Sequence, residues 1–307
     1  MMKKIAVLVP CYNEELTIGK VIADFKRELP EADIYVYDNN SKDKTNKIAV
    51  DAGAIVKKEV LQGKGNVVRS MFLDVDADIY IMVDGDDTYP ADEVHKLIMK
   101  VEEGYDMVIG DRLSNGTYAK ENKRGFHGFG NNLVRNLINP LFNSSVHDVM
   151  TGYRAFSKRM VKTMPVMSPG FQIETEMTAF CLANRLKIVE VPITYRDRPE
   201  GSFSKLNTFQ DGFKVLVTLF DLAKEYRPLT FFGIISLICC VLGLIIGMPV
   251  LLEFAATHYI TKVPSAILAA AFEIIAILMF AVAIILDSIK NKTEKDYQYQ
   301  LHRFYDK

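Results

Sequence analysis

The 307-residue chain is 24% charged and 49% hydrophobic, the composition of one large or two modest globular domains. Its formal net charge of -1 gives no electrostatic argument for binding nucleic acid. The average conceals a division: most of the charge lies before about residue 228, whereas Leu229 to Leu252 and Ala266 to Leu286 are almost uncharged and long enough to cross a bilayer.

At the N-terminus, Lys3-Lys4 precedes only the short apolar run Ile5 to Val9, which Pro10 stops; it reads as a buried strand rather than a secretory signal. Short β-rich runs then alternate with helical patterns. Lys4 to Val9 precedes Glu15 to Leu29, Asp33 to Asp38 precedes Asp43 to Ala52, and Ala54 to Lys57 precedes Lys64 to Leu73. Ile79 to Asp84 precedes Pro90 to Glu102, with Pro90 as a first helical residue. This alternation predicts an α/β fold with a mostly parallel sheet, in which ligands bind beyond the carboxyl ends of the strands. Those ends carry Pro10 to Glu14, Asp38 to Ser41 and Asp84 to Asp86, so three polar clusters converge on one edge. After Asp106 to Gly110 the pattern is less regular: a helix over Gly128 to Leu141, a loop over His147 to Gly152, a helix over Glu174 to Asn184 and a strand over Lys187 to Ile193.

From Leu206 to Tyr226 apolar residues recur at helical spacing opposite charged ones, which suits a helix lying on a bilayer and suits one packed on the domain nearly as well. Lys205, Lys214, Lys224 and Arg227 precede the first apolar span, Lys290, Lys292, Lys295 and Arg303 follow the second, and Lys262 alone lies between them. The bias places both termini in the cytoplasm of a multi-pass plasma (inner) membrane protein. The expected division is a catalytic domain over 1–203, an amphipathic helix over 204–228, two spans within 229–289 and a cytoplasmic tail over 290–307. Gly243 and Gly247 form a small-xxx-small pair compatible with a homo-oligomer, and Glu273 is an ionisable group inside the second span. Cys11, Cys181, Cys239 and Cys240 have no zinc-ligand spacing, so reduced thiols are expected.

Asp84 and Asp86, separated by one residue after an apolar run, are suited to hold a hard divalent cation that grips a pyrophosphate. Asp38 to Thr45 supplies donors and acceptors for a nucleoside, or caps a helix through Ser41 or Asp43. Gly63-Lys64-Gly65 brings backbone N–H groups and a cation to an anion, or is simply a turn. Glu174 and Glu176, at a helix start, face a sugar or are solvated carboxylates favoured by the helix dipole.

Taken together, Leu8 to Glu14, Asp38 to Thr45, Gly63 to Gly65, Asp84 to Asp86, Val108 to Arg112, Asp148 to Arg154 and Arg198 to Lys205 resemble the ordered motifs of the polyprenyl-phosphate glycosyltransferases. These are inverting, GT-A-fold enzymes related to dolichyl-phosphate mannose synthase, and the two C-terminal spans resemble those of bacterial membrane-anchored members. The resemblance implies a nucleotide-sugar site at Pro10, Tyr12, Glu14, Asp38, Lys64 and Asp84, and a Mg²⁺ or Mn²⁺ ion on Asp84 and Asp86. Arg112, Arg124, Arg198 and Lys205 would meet phosphates of acceptor or donor, and Asp148 matches the family's candidate catalytic base, with Asp86 the other catalytic residue. A phosphate monoester is already mostly dianionic at neutral pH, so Asp148 is expected to orient the acceptor or balance the cations as much as to take a proton. Two departures stand out: Thr88 occupies the place of a Gln found in several relatives, and Asn39-Asn40 replaces a common Asp-Gly.

The implied activity is inverting transfer of one sugar, from a uridine-diphosphate hexose or N-acetylhexosamine, to undecaprenyl phosphate for cell-envelope glycan modification. A processive polysaccharide synthase shares the fold, but its relatives resemble each other in a Gln-x-x-Arg-Trp motif and this chain has no tryptophan. A non-catalytic membrane sensor of nucleotide sugars, or scaffold, is the reading from a different class.

Overall fold

The computed structural model describes residues 3–116, 127–201 and 208–305. Among these, the strands β1 (Ile5–Cys11), β2 (Asp33–Asp38), β3 (Ile55–Lys58), β4 (Ile79–Met82), β5 (Met107–Asp111), β6 (Arg154–Ser157) and β7 (Ile188–Pro192) form one sheet in the order β3-β2-β1-β4-β6-β5-β7. All pairings are parallel except those of β6, which runs antiparallel to both β4 and β5. The helices are α1 (Ile18–Glu28), α2 (Thr45–Asp51), α3 (Lys64–Asp74), α4 (Val94–Glu102), α5 (His127–Phe142), α6 (Lys158–Thr163), α7 (Ile173–Ala183), α8 (Thr208–Tyr226), α9 (Pro228–Thr257) and α10 (Val263–Tyr305).

The continuous apolar runs of β1 and β4 follow from burial on both faces of a parallel sheet, and every residue of β4 is buried. Helix α1 covers one face with Ile18, Val21, Ile22 and Phe25, a stripe at helical spacing. Phe25 meets Tyr153 edge-on at 6.2 Å, and its truncation to Ala would cost about 3–5 kcal/mol. The chain reverses its direction across the sheet at β1, flanked by β2 and β4, so the carboxyl ends of β1 and β4 border the crevice where such sheets bind ligands.

Several boundaries differ from expectation for local reasons. Strand β1 continues through Pro10 to Cys11. Leu8 accepts from Val83 on the β4 side, and Pro10, two residues on, directs its missing N–H the same way, where the β4 pairing has already ended at Met82. Pro90 precedes a single 3₁₀ turn, Ala91–Glu93, rather than opening the helix itself. Neither Ser41 nor Asp43 is the N-cap of α2; Lys44 holds that position, while Asp43 accepts the Thr45 N–H at 3.0 Å. Strand β6 and helix α6 were not expected at all.

The chain divides into two compact units, residues 1–219 with 303–307, and residues 220–302. In the second unit, α9 and α10 are each long and apolar enough to cross a membrane, with stretches of mean hydropathy 2.8 and 2.7. Leu237, Ile245, Leu252, Ile267 and Ile277 are exposed, an outward surface suited to hydrocarbon. The two helices run antiparallel: Ser236 Oγ donates to the Ala276 carbonyl at 2.7 Å, Gly243 abuts Glu273 and Gly247 abuts Ala269. The small-residue pair is thus taken up within the chain. Helix α10 continues without a break into the segment read as a tail.

Candidate active site

The loop after β4 carries Asp84 and Asp86, and Thr17 Oγ1 pins it by donating to the Gly85 carbonyl at 2.6 Å. Lys64, at the start of α3, reaches in from beside it. Its ammonium lies 2.6 Å from Asp84 Oδ1 and 2.6 Å from Glu174 Oε1, with only 10% of the side chain exposed. Burial opposes that charge, but Asp84 and Glu174 outweigh it and raise the Lys64 pKa. The helix-terminus reading of Gly63-Lys64-Gly65 does not hold, because the N–H groups of Gly65 and Asn66 already donate to the Pro169 carbonyl. The segment contributes its lysine. Glu174 is buried rather than solvated, and Glu176 accepts the N–H groups of Met167 and Ser168.

Asp86 is buried, and its Oδ2 pairs with Arg198 Nη2. Arg198 also approaches Glu14 Oε1 at 3.7 Å, so one guanidinium joins the loops after β1 and β4. Burial and the Asp84 charge lift the Asp86 carboxyl above its usual range, with Arg198 and Thr88 opposing. Thr88 Oγ1 donates to Asp86 Oδ1 at 2.7 Å, which answers the departure at this position: the hydroxyl orients Asp86.

Arg112, just beyond β5, holds Asp148 with two 2.8 Å bonds, Nε to Oδ2 and Nη2 to Oδ1, and its backbone N–H adds a third at 3.1 Å. The Asp148 side chain is 0% exposed. Its own N–H donates to Glu190 Oε1 at 2.9 Å, and Glu190 also accepts the His147 N–H. Beneath the pair, the Tyr89 hydroxyl accepts the Gly152 N–H at 3.1 Å, and burial pushes the Tyr89 pKa up to about 12. A Cβ on Gly152 would fall 2.2 Å from Asp84 Oδ2, so only glycine lets the 148–152 turn lie against Asp84.

Among the residues expected to line a nucleotide, Pro10 is the penultimate residue of β1, Tyr12 is half-buried just after the strand, Glu14 is buried, and buried Asp38 ends β2 and accepts the Ser41 N–H at 3.1 Å. Asn13 and Asn40 take left-handed conformations, φ 53° and 65°, which Asn tolerates. The Asn13 side chain accepts the Lys42 N–H at 2.8 Å, and Asn39 bonds the carbonyls of Glu59 and Leu61 and the N–H of Gly63. Asn39 therefore shapes the loop ahead of Lys64. Arg124 and Lys205 lie outside the described residues. Tyr89 and Glu190 carry no local sequence signal, and Arg154 is legible only as part of a motif.

Asp84 and Asp86 offer the hard oxygen donors a divalent cation takes, and the burial and the Asp84 charge that lift Asp86 are both what such an ion would offset, so the residues fit. Asp111, His147 and Glu190 also bring ligand atoms within 4.8 Å of one another. In that group Asp111 also accepts from the Leu113 N–H, and Glu190 from the N–H groups of His147 and Asp148.

The profile of Glycosyl transferase family 2 matches residues 6–164. The glycosyltransferase AglJ of Haloferax volcanii is 35% identical over 254 residues, spanning 81% of this chain and 82% of that protein. The dolichyl-phosphate hexose transferase of the same organism is 31% identical over 223 residues, spanning 73% and 95%. Among solved structures, glucosyl-3-phosphoglycerate synthase from Mycobacterium tuberculosis, in complex with Mn²⁺, uridine diphosphate and glucosyl-3-phosphoglycerate, superposes with a TM-score of 0.57 at 23% identity, covering 72% of this chain and 80% of that one. That likeness shows the GT-A fold. With a sheet whose one edge gathers Asp84, Asp86, Lys64, Arg198 and the Arg112–Asp148 pair, and with the profile covering more than half its length, the chain belongs to the family-2 glycosyltransferases.

Proposed function

We propose that the protein transfers a single sugar, with inversion, from a nucleoside diphosphate sugar to a polyprenyl phosphate at the cytoplasmic face of a membrane. The observation that carries this is the placement of three cations, Lys64, Arg198 and Arg112, each held on a carboxylate at the carboxyl edge of one sheet. Such a site can receive two phosphates, one on the donor and one on the acceptor, and bring them to opposite sides of one anomeric carbon. The name of the dolichyl-phosphate hexose transferase supports a lipid phosphate as acceptor, and the two apolar helices support a membrane location.

In this reading Asp84 and Asp86 would hold a Mg²⁺ or Mn²⁺ ion, which supplies neutralisation of the departing diphosphate. Lys64 and Arg198 pair with those carboxylates and add charge stabilisation for the leaving group. Pro10, Tyr12, Glu14 and Asp38 line the nucleotide, and Arg112, with Arg124 and Lys205, meets the acceptor phosphate. A phosphate monoester, second pKa near ~6, is mostly dianionic at neutral pH and needs little deprotonation. Both Asp148 oxygens hold Arg112, which favours orientation of the acceptor-binding cation over proton abstraction.

The donor is taken as a uridine diphosphate hexose or N-acetylhexosamine and the lipid as undecaprenyl phosphate. The test is a product assay on detergent-purified protein with that lipid, Mg²⁺ or Mn²⁺, and a panel of uridine and guanosine diphosphate sugars. One glycolipid carrying one sugar, with an anomeric proton coupling opposite to the donor's, is expected. A lipid bearing several sugars would replace the reading with processive synthesis; nucleotide-sugar binding without product would replace it with a sensor.

A further inference from the structure

Among the described residues, one cation lies deeper than Lys64, Arg112 or Arg198. Arg154, the first residue of β6, is 0% exposed. Its guanidinium is surrounded by neutral groups: Nε donates to the Thr151 carbonyl at 3.0 Å, Nη2 to the Val149 carbonyl, and Nη1 to the Thr178 hydroxyl at 2.9 Å, with Met107 Sδ at 3.3 Å. Among the described residues no carboxylate forms an ion pair with it. Burial presses its pKa down, while the more distant Glu174 and Asp148 act in the opposite direction. An arginine buried without a paired carboxylate is a costly way to fill space, where a methionine would pack without desolvating a charge.

The acceptors explain what the charge does. Val149 and Thr151 flank Met150 in the turn whose first residue, Asp148, closes on Arg112 and whose last, Gly152, lies against Asp84. A guanidinium presents donors in a rigid planar fork, so it fixes both carbonyls at one spacing and one orientation. The third acceptor, Thr178, sits on α7 and passes a 2.9 Å bond back to the Glu174 carbonyl. The turn, the strand β6 and the helix carrying Glu174 are therefore joined at one side chain.

We propose that Arg154 is the positioning residue of this site: it braces the 148–152 turn from beneath, so that the Arg112–Asp148 pair and the Asp84 carboxylate keep a fixed separation. The assignment rests on the transfer reaction proposed above.

The test compares Arg154→Met, Arg154→Lys and Thr178→Val in the full-length protein. Three quantities are measured: kcat and donor KM per folded molecule, thermal unfolding, and amide hydrogen exchange of peptides spanning 147–153 against peptides from β1 and β2. Arg154→Met is expected to lower kcat about 100-fold with donor KM changed less than about twofold, the scale of a misplacement near 1 Å. Exchange at 147–153 should rise about tenfold while β1 and β2 stay protected. Arg154→Lys, which keeps the charge but not the fork, should fall between, and Thr178→Val should show a smaller effect in the same direction. If Arg154→Met does not fold, the other two variants decide the matter. Unchanged kcat per folded molecule in the variants that fold, or exchange rising uniformly through the domain, would overturn the proposal and leave Arg154 a stability residue. Should the wild type form no glycolipid, the transfer reading fails on its own, and exchange at 147–153 still decides whether Arg154 braces the turn.

Discussion

Arg112 grips Asp148 through two parallel hydrogen bonds of 2.8 Å, in a setting where the carboxylate is wholly buried and the guanidinium nearly so. Breaking such a pair from one side leaves an uncompensated charge. Asp148→Asn should therefore cost about 3–5 kcal/mol of stability, and Arg112→Met a similar amount. The double variant should recover much of that loss while remaining inactive, because the cation proposed to meet the acceptor phosphate is gone. Thermal unfolding and kcat, measured on all four proteins, form the double-mutant cycle that checks this.

Lys64 bridges Asp84 and Glu174, so Lys64→Met should leave two carboxylates in one poorly solvated site. Uridine diphosphate binding is expected to weaken more than about tenfold, the scale of a lost charge-assisted hydrogen bond. Adding Glu174→Gln should restore stability and leave binding weak. Calorimetric titration alongside unfolding separates the two effects.

Gly152→Ala would place a Cβ 2.2 Å from Asp84 Oδ2 and 2.7 Å from its Cγ, and the carboxylate is short and held by Lys64. Asp84 must move. The fold should lose only about 1–3 kcal/mol, as in other overpacked sites. The Mn²⁺ or Mg²⁺ concentration for half-maximal activity should rise, and chelator should abolish wild-type activity until either ion is returned.

Within the second unit, Gly243 lets Glu273 lie across α9, and a Cβ there would meet Glu273 Oε1 at 2.5 Å. Gly243→Leu is expected to weaken the α9–α10 hairpin, lowering the unfolding temperature in detergent. Glu273→Ala in the same chain should recover it, since the clash is with that side chain. Failure of the second change to compensate would mean that the two helices do not meet at this point.

Much of the first hundred residues was legible because β1, β2 and β4 are apolar runs closed by turn residues, and α1 and α4 carry clean stripes. Strand β6 was not legible. It has four residues, opens on a charged one and owes its place to pairing with β4 and β5, which lie far away in sequence. Glu174 is legible as an acidic group at a helix start, but its pairing with Lys64 is not, since the fold and not local spacing brings the two together. The acidic pair Asp84 and Asp86 is readable from its place after a buried run, but their counter-cations, Lys64 after β3 and Arg198 after β7, come to the loop after β4 only through the fold. Asp38 to Thr45 is legible as a nucleoside reader or a cap; part of its polarity is spent on joining the loops after β1 and β2.

The most direct test of the central claim is the transfer of labelled sugar into an organic-extractable lipid by the purified protein, with undecaprenyl phosphate present or omitted and with Asp86→Asn beside the wild type. Label appearing in lipid only with the wild type, only with the phosphorylated lipid and only with a divalent ion is the expected result. Label in lipid from Asp86→Asn at the wild-type rate, or none from the wild type with any uridine or guanosine diphosphate sugar, would contradict the account.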